Sequence, residues 1–345
     1  MIGHQRGSQG RRDARAEACA SGRWRMQIPL VLIPALLGLV ACANTDDPGT
    51  TSVHDQSTGA ATQAIAPPPT ASALTGQRGQ GLPYEIVDSE VWNVPDPVSG
   101  RDYQVFVAVP AAYAEPPERR YPVLYVTDAE YAFPVVRSIA RRLNVEGPAI
   151  EDFIVVGLSY SLGESAMRSR RRDYTPTTPR HGQPAGGDLH GEAVAYADYL
   201  RDQVIAFVAE RYRSDENRRL LLGHSYGSLL AAQILFTQPD LFAGYVLGSP
   251  SFWYDSNVID DIERAYAAAH SDLPASVYMY VGEYESPAFG KRYDMVADAR
   301  AMAATLAARN YPSLRLKLDV LADEDHLSVA PRGFSHGLKF LLGVE

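Results

Sequence analysis

The chain has 345 residues, 46% of them hydrophobic, enough to bury a large core. Its formal net charge of −9 argues against a general nucleic-acid binder, which needs clustered lysine and arginine to meet phosphates. Two cysteines, Cys19 and Cys42, and eight scattered histidines without an H-E-x-x-H pattern leave no disulfide beyond residue 42 and no zinc signature, so no metal site is expected.

In chain order, the first element is an address. Ile28 to Val40 is an apolar run too short for a comfortable membrane span, preceded by Arg23 and Arg25. A positive flank, a short apolar core and small residues make a secretory signal. It ends in Leu39-Val40-Ala41-Cys42, which resembles the lipobox of bacterial lipoproteins. The expectation is a signal over residues 1–42, lipidation of Cys42 and attachment to a membrane. Ala43 rather than Asp in the next position points to the outer membrane, facing the periplasm or the cell surface. Residues 43–80 are rich in Thr, Ser, Ala, Pro and Gly without apolar periodicity, and read as a flexible tether. A folded domain is expected over 81–345.

Within it, Tyr84 to Val94 alternates, with Ile86, Val91 and Trp92 as the expected buried points. Tyr103 to Val109 is a second strand candidate, and the turn at Pro97 to Gly100 makes the two an antiparallel pair at a sheet edge. The runs at Pro122 to Val126, Phe153 to Val156, Leu220 to Leu222, Tyr245 to Leu247 and Val277 to Val281 are short and continuously apolar, as in parallel strands buried on both faces. Leu314, Leu316, Leu318 and Val320 alternate with polar residues, as in a half-exposed last strand. Helical patterns fall between: Leu200, Val204, Phe207 and Val208 share one face, and Met295 to Arg309 is alanine-rich. The alternation predicts an α/β fold with a mostly parallel central sheet and helices on both faces.

Gly223-His224-Ser225-Tyr226-Gly227 matches G-x-S-x-G. It follows the apolar strand Leu220 to Leu222 and precedes the helix former Leu229 to Leu235, the setting of a nucleophile elbow in an α/β-hydrolase sheet. Small flanking residues let strand and helix approach closely, and the helix N-terminus turns its free N–H groups toward a developing oxyanion. Ser225 is the candidate nucleophile. A serine hydroxyl needs an adjacent base. Downstream histidines are His270, at the end of a helical stretch, His336, inside the last helix, and His326, in the polar loop after the strand ending at Val320. His326 is the candidate base. The acid should follow Val277 to Val281, where Gly282-Glu283-Tyr284-Glu285 offers Glu285 first, Glu283 as the alternative and Asp325 as a distant third. Oxyanion donors are expected from the backbone N–H of Tyr226 and from the loop after Val126, at the Glu130 N–H with Ala129 as fallback.

These pieces resemble the α/β-hydrolase esterase family that includes the enterobactin-type siderophore esterases. The resemblance rests on Tyr121 to Asp128, Arg172 to Thr177, Leu222 to Gly227, Ser249 to Trp253, Gly282 to Glu285 and Asp325 to Val329, in that order, across residues 84–342. It implies a cofactor-free serine esterase working through an acyl-enzyme on a small-molecule ester, siderophore trilactones among the substrate classes. One departure stands out: the family usually carries Asp-Gly in the oxyanion loop, and here Ala129 follows Asp128, so its Cβ is expected to tighten the loop and alter the acyl pocket. The segment from Ser161 to about Val194 is long for a loop and reads as a lid or substrate wall. Its Arg170 and Arg172, with Trp253 beyond, are candidate substrate contacts, set against solvated charges, a structural Arg172–Asp173 pair and core packing. Two rivals remain open: a general short-chain carboxylesterase or acyltransferase, and a lipid-anchored binding protein on an inactive hydrolase scaffold. Oligomeric state is left open.

Overall fold

The apolar runs become the strands of one eight-stranded sheet in the computed structural model of the protein, which describes residues 84–114, 116–179 and 189–344. The leader, Cys42 and the tether lie outside the described residues. In chain order the strands are β1 (Ser89–Asp96), β2 (Arg101–Ala108), β3 (Tyr121–Thr127), β4 (Ile154–Ser161), β5 (Ser214–His224), β6 (Gly244–Gly248), β7 (Ser276–Gly282) and β8 (Arg315–Leu321). Their order across the sheet is β1-β2-β4-β3-β5-β6-β7-β8. β1 and β2 pair antiparallel, β2 meets β4 antiparallel, and every pairing from β4 to β8 is parallel. Every residue of β3 and β6 is buried, because helices cover both faces, whereas β8 at the edge retains its alternation.

The helices are α1 (Ala129–Leu143), α2 (Ala166–Tyr174), α3 (Ala193–Tyr199), α4 (Ala206–Arg211), α5 (Tyr226–Thr237), α6 (Val258–Ala269), α7 (Met295–Ala308) and α8 (Ala330–Leu342), with a π-helical turn (Leu200–Ile205) joining α3 to α4. One core layer packs Leu124, Val126, Leu222, Tyr278 and Tyr280 of the sheet against Phe133 and Val136 of α1 and Phe334 and Leu338 of α8. On the other face Tyr125, Leu221 and Tyr245 meet α3 to α6, with Leu229, Leu230 and Ile234 of α5 at the centre. α5 is buried continuously from Gly227 to Phe236, and each of its fully buried Leu, Ile or Phe side chains contributes about 1.5–3 kcal/mol.

Two expectations are corrected. Val91 and Trp92 are 59% and 37% exposed, and the buried residues of β1 are Val94 and Asp96. β1 is the edge strand; the rim ring of Trp92 packs edge-on against Phe207 and donates its Nε1–H to Tyr212. The stretch from Ser161 to Val194 is not a bare loop, because α2 fills its first half.

The connection from β3 to β4 runs to one side of β3 and the next crossover returns to the other, so the strand order reverses beside β3. A crevice opens at the C-terminal ends of β3 and β5, where ligands bind in open α/β sheets.

Candidate active site

β5 ends at His224 and α5 begins at Tyr226, so the chain reverses at Ser225 alone. The Ser225 backbone adopts φ 59°, ψ −118°, a strained conformation held in place by its surroundings. Its N–H donates to the Gly248 carbonyl (2.8 Å) and its carbonyl accepts from the N–H of Ser228 (3.1 Å). The glycines are required by contact: a Cβ on Gly223 would sit 2.2 Å from the Gly227 backbone, and one on Gly227 2.2 Å from Thr127 Oγ1. Ser228, where related elbows often have Gly, fits because its buried hydroxyl reaches the carbonyls of Gly223 (2.8 Å) and Gly248 (2.7 Å), tying the ends of β5 and β6 together.

His326 lies in the loop between β8 and α8. Asp325 shapes that loop, its carboxylate accepting the N–H groups of Leu327 (2.9 Å) and Ser328 (3.1 Å). A carboxylate can only accept, so His326 donates its Nδ1–H to Glu285 Oε2 at 2.6 Å, and in the neutral ring Nε2 keeps the lone pair. Glu285 is 1% exposed. Its Oε1 accepts from Ser249 Oγ (2.6 Å) and the Gly282 N–H (2.8 Å). Burial alone would raise this carboxyl, but the hydrogen bonds from His326, Ser249 and Gly282 hold it below the usual carboxylate range. Glu283 points elsewhere, accepting the Asp323 N–H at 3.1 Å. His270 bonds the Tyr266 carbonyl, and His336 sits 3.5 Å from Asp319. Ser225 and His326 line the same cleft, although Ser225 Oγ pairs with Ser251 Oγ at 3.3 Å in this conformation and not with His326.

His224 was not singled out from the sequence, where it is the variable position of the motif. Its Nε2–H donates to the His326 carbonyl (3.0 Å), so its Nδ1 must accept from the Tyr280 hydroxyl (3.2 Å). Its ring lies 4.8 Å from that of His326 and stacks on Tyr280. Burial, then the neighbouring His326 charge, lower its pKa to about 3, so it remains a neutral brace under the His326 loop.

The other wall is the turn from β3 into α1. Asp128 takes φ 57° there, and its carboxylate accepts from the Tyr160 hydroxyl (2.8 Å) and from Arg170 (2.8 and 3.3 Å). Ala129 and Glu130 open α1, so their N–H groups have no acceptor within the helix. The Glu130 carboxylate accepts from the Ser159 hydroxyl, away from Ser225. The expected effect of Ala129 on the acyl pocket is corrected: its side chain is fully buried toward Gly157 of β4 and does not line the cleft.

Ser225 and His326 divide the cleft into two hollows. One, about 370 Å³, is walled by Tyr131, Met167, Leu327 and Phe334, with Arg170 at its edge. The other, about 200 Å³, is bounded by Trp253, Tyr293, Lys291 and Arg292. Arg170 is already engaged by Asp128 and by the His224 carbonyl (3.0 Å). Arg172 is corrected as a substrate contact: it is fully buried and bonds Asp173 (2.8 and 3.0 Å) and Glu164 (2.5 Å), while Tyr103 and Ser169 also donate to Asp173.

A parallel sheet covered on both faces, with a strained serine at the β5–α5 turn and a histidine–carboxylate pair on later loops, defines an α/β hydrolase. The chain belongs to the esterase family whose model is described as "Putative esterase", matched over residues 97–315. Among its relatives are the ferri-bacillibactin esterase BesA of Bacillus subtilis, 27% identical over 76% of this chain and 93% of that one, and a siderophore enterobactin esterase of Emericella nidulans, 29% identical over 74% and 93%. The crystal structure of the BES protein from Bacillus cereus shares the fold, with a TM-score of 0.66 at 24% identity over 77% of this chain and all of that one. The protein is accordingly an enzyme that hydrolyses ester bonds.

Proposed function

We propose that the protein is a serine esterase that opens siderophore esters, with Ser225 as nucleophile, His326 as base, Glu285 as its carboxylate partner, and the N–H groups of Tyr226 and Glu130 as oxyanion donors. The observation that carries this reading is the Glu285–His326 hydrogen bond facing the same cleft as Ser225 on its strained turn. Ser225 Oγ attacks the ester carbonyl and gives its proton to His326 Nε2, while the carbonyl oxygen becomes an oxyanion between the two N–H groups. The imidazolium forms beside the ionised Glu285, which stabilises it and fixes the ring. His326 then protonates the departing alkoxide, the C–O bond breaks, and the acyl group stays on Ser225. Water, losing its proton to His326, attacks the acyl carbon; Ser225 Oγ leaves and recovers that proton, releasing the acid.

The siderophore part rests on the names of the relatives, several of which are siderophore esterases. Hydrolysis of a siderophore trilactone and of a short-chain p-nitrophenyl ester, each by wild type and Ser225→Ala, tests both parts. Trilactone turnover well above that of the simple ester, lost with Ser225, supports the reading. Equal or faster turnover of the simple ester favours a general carboxylesterase, and turnover that survives in Ser225→Ala contradicts the nucleophile.

The motif ending at Cys42 supports a further part of the proposal: the enzyme is exported and held on the outer membrane by a lipid on that cysteine. Fractionation of cells making wild type or Cys42→Ala tests it; equal release of both proteins into the soluble fraction contradicts the anchor.

A further inference from the structure

We propose that a second pocket, at the end of the sheet opposite Ser225, binds a phosphate group through Arg137, Arg141 and Arg142 of α1. The site is separate from the cleft and independent of the hydrolytic reaction.

Strands β3, β4 and β5 run parallel, and Ser225 follows the C-terminal end of β5. The pocket, about 590 Å³, lies at the other end of these strands, between the start of β4, the end of β2 and the second half of α1. Ala108 and Val109 of the β2 end, with Phe153 and Val155 around the β4 start, give it an apolar wall. Arg137 and Arg141 stand one turn apart on α1 and so share a face, with Arg142 beside them.

Arg137 is the residue that points to a ligand. It is 6% exposed, yet among the described residues its Nε and Nη2 have no hydrogen-bond partner. Asp88 sits 3.6 Å from Nη2, an ion pair too long for a hydrogen bond. A buried guanidinium with unmet N–H groups is costly to keep. Burial and the charge of Arg141 push its pKa down, against the pull of Asp88. The acids that line the pocket are engaged elsewhere: Glu151 pairs with Arg218 (2.8 Å) and Asp152 with Arg119 (3.4 Å). Arg141 and Arg142 are exposed, and among the described residues neither forms an ion pair. The helix dipole accounts for these two cations in the last turn of α1, but not for Arg137, buried more than a turn earlier.

Three guanidinium groups facing Asp88 leave an excess of positive charge, and their planar forks match phosphate oxygens. The volume exceeds that of phosphate alone, so the apolar wall has room for the organic part of a phosphate ester or of a phospholipid headgroup.

The test is calorimetric titration of the full chain with inorganic phosphate, against chloride at equal ionic strength. Wild type should bind phosphate, and Arg141→Ala/Arg142→Ala should weaken binding by about ten-fold or more for the loss of two charge-assisted contacts. Arg137→Lys keeps the charge but loses the fork and should also bind more weakly. Thermal melting in chloride shows that each variant is folded, and the exposed pair keeps the test open if Arg137→Lys is not. Sedimentation with vesicles of phosphatidylglycerol or of phosphatidylcholine separates the sources. A phosphatidylglycerol preference that the double variant loses supports a headgroup site; saturation by inorganic phosphate without that preference supports a site for free phosphate or its esters. Wild type that shows neither phosphate binding nor that preference, or binding that either folded variant leaves unchanged, overturns the proposal.

Discussion

Glu285→Gln probes the proposed machinery with little change in shape. The carboxylate accepts three hydrogen bonds, from Ser249 Oγ and the Gly282 N–H at Oε1 and from His326 Nδ1 at Oε2. A glutamine can keep the first two only by placing its carbonyl oxygen where Oε1 lies, which turns its NH₂ toward His326. Nδ1 must then become the acceptor, and the neutral ring carries its proton on Nε2, where it cannot receive one from Ser225. The charge that would stabilise the imidazolium is lost in the same step. Replacing the acid of a serine triad by its amide costs about 10³–10⁴ in kcat, or roughly 4–5.5 kcal/mol of barrier. We therefore expect kcat on a p-nitrophenyl ester to fall by that factor with KM little changed. The fold should survive, since two of the three bonds persist, whereas Glu285→Ala strands buried donors at about 1–3 kcal/mol each and should melt earlier. Steady-state kinetics together with thermal melting measures both. A Glu285→Gln enzyme within about ten-fold of wild-type kcat would refute the role given to this carboxylate.

Arg172→Met removes the partner of buried Asp173 and should cost about 3–5 kcal/mol of stability, a melting point lower by on the order of 10 °C. An unchanged melting point with a raised KM would return Arg172 to the substrate. Gly227→Ala drives a Cβ into Thr127 and pushes α5 away from the β3 turn, so the two proposed oxyanion donors separate. kcat should drop about 10²-fold or more in steady-state assays, and full activity would contradict that arrangement. His224, lowered to about 3, stays neutral in the fold while the unfolded chain takes up a proton near pH ~6.5. The unfolded state binds more protons between those values, so the stability this residue contributes is present above about pH 6.5 and is lost as pH falls toward about 3. Between pH 7 and pH 5, above the carboxylate range, denaturant unfolding should show wild type losing about 2 kcal/mol more than His224→Gln. Parallel losses would show that His224 is not held neutral.

Much of the fold can be read from the chain because buried parallel strands need continuous apolar runs, and β3, β6 and β7 have them. The elbow is readable for a related reason. Gly223 and Gly227 mark where strand and helix touch, and a motif between an apolar strand and a helix former has few other settings. Edge strand β1 is less readable: alternation states a period but not which parity faces the protein, and it is Val94 and Asp96, not Val91, that turn inward. Arg172 was obscured because Arg168, Arg170, Arg171 and Arg172 look alike in sequence. Only the packing of α2 against β4, α3 and α5 turns Arg172 inward, to Asp173, while Arg170 reaches Asp128. His224 carries no sequence signal, since its partners Tyr280 and His326 lie far along the chain and are brought to it by the sheet order.

The central claim is that Ser225 forms the acyl-enzyme, and the most direct measurement is mass spectrometry of the protein after treatment with a fluorophosphonate. We expect one adduct, on the peptide containing Ser225, with hydrolysis abolished in step with labelling and labelling suppressed in His326→Ala. Labelling at another serine, or hydrolysis undiminished when Ser225 is fully modified, would contradict the claim.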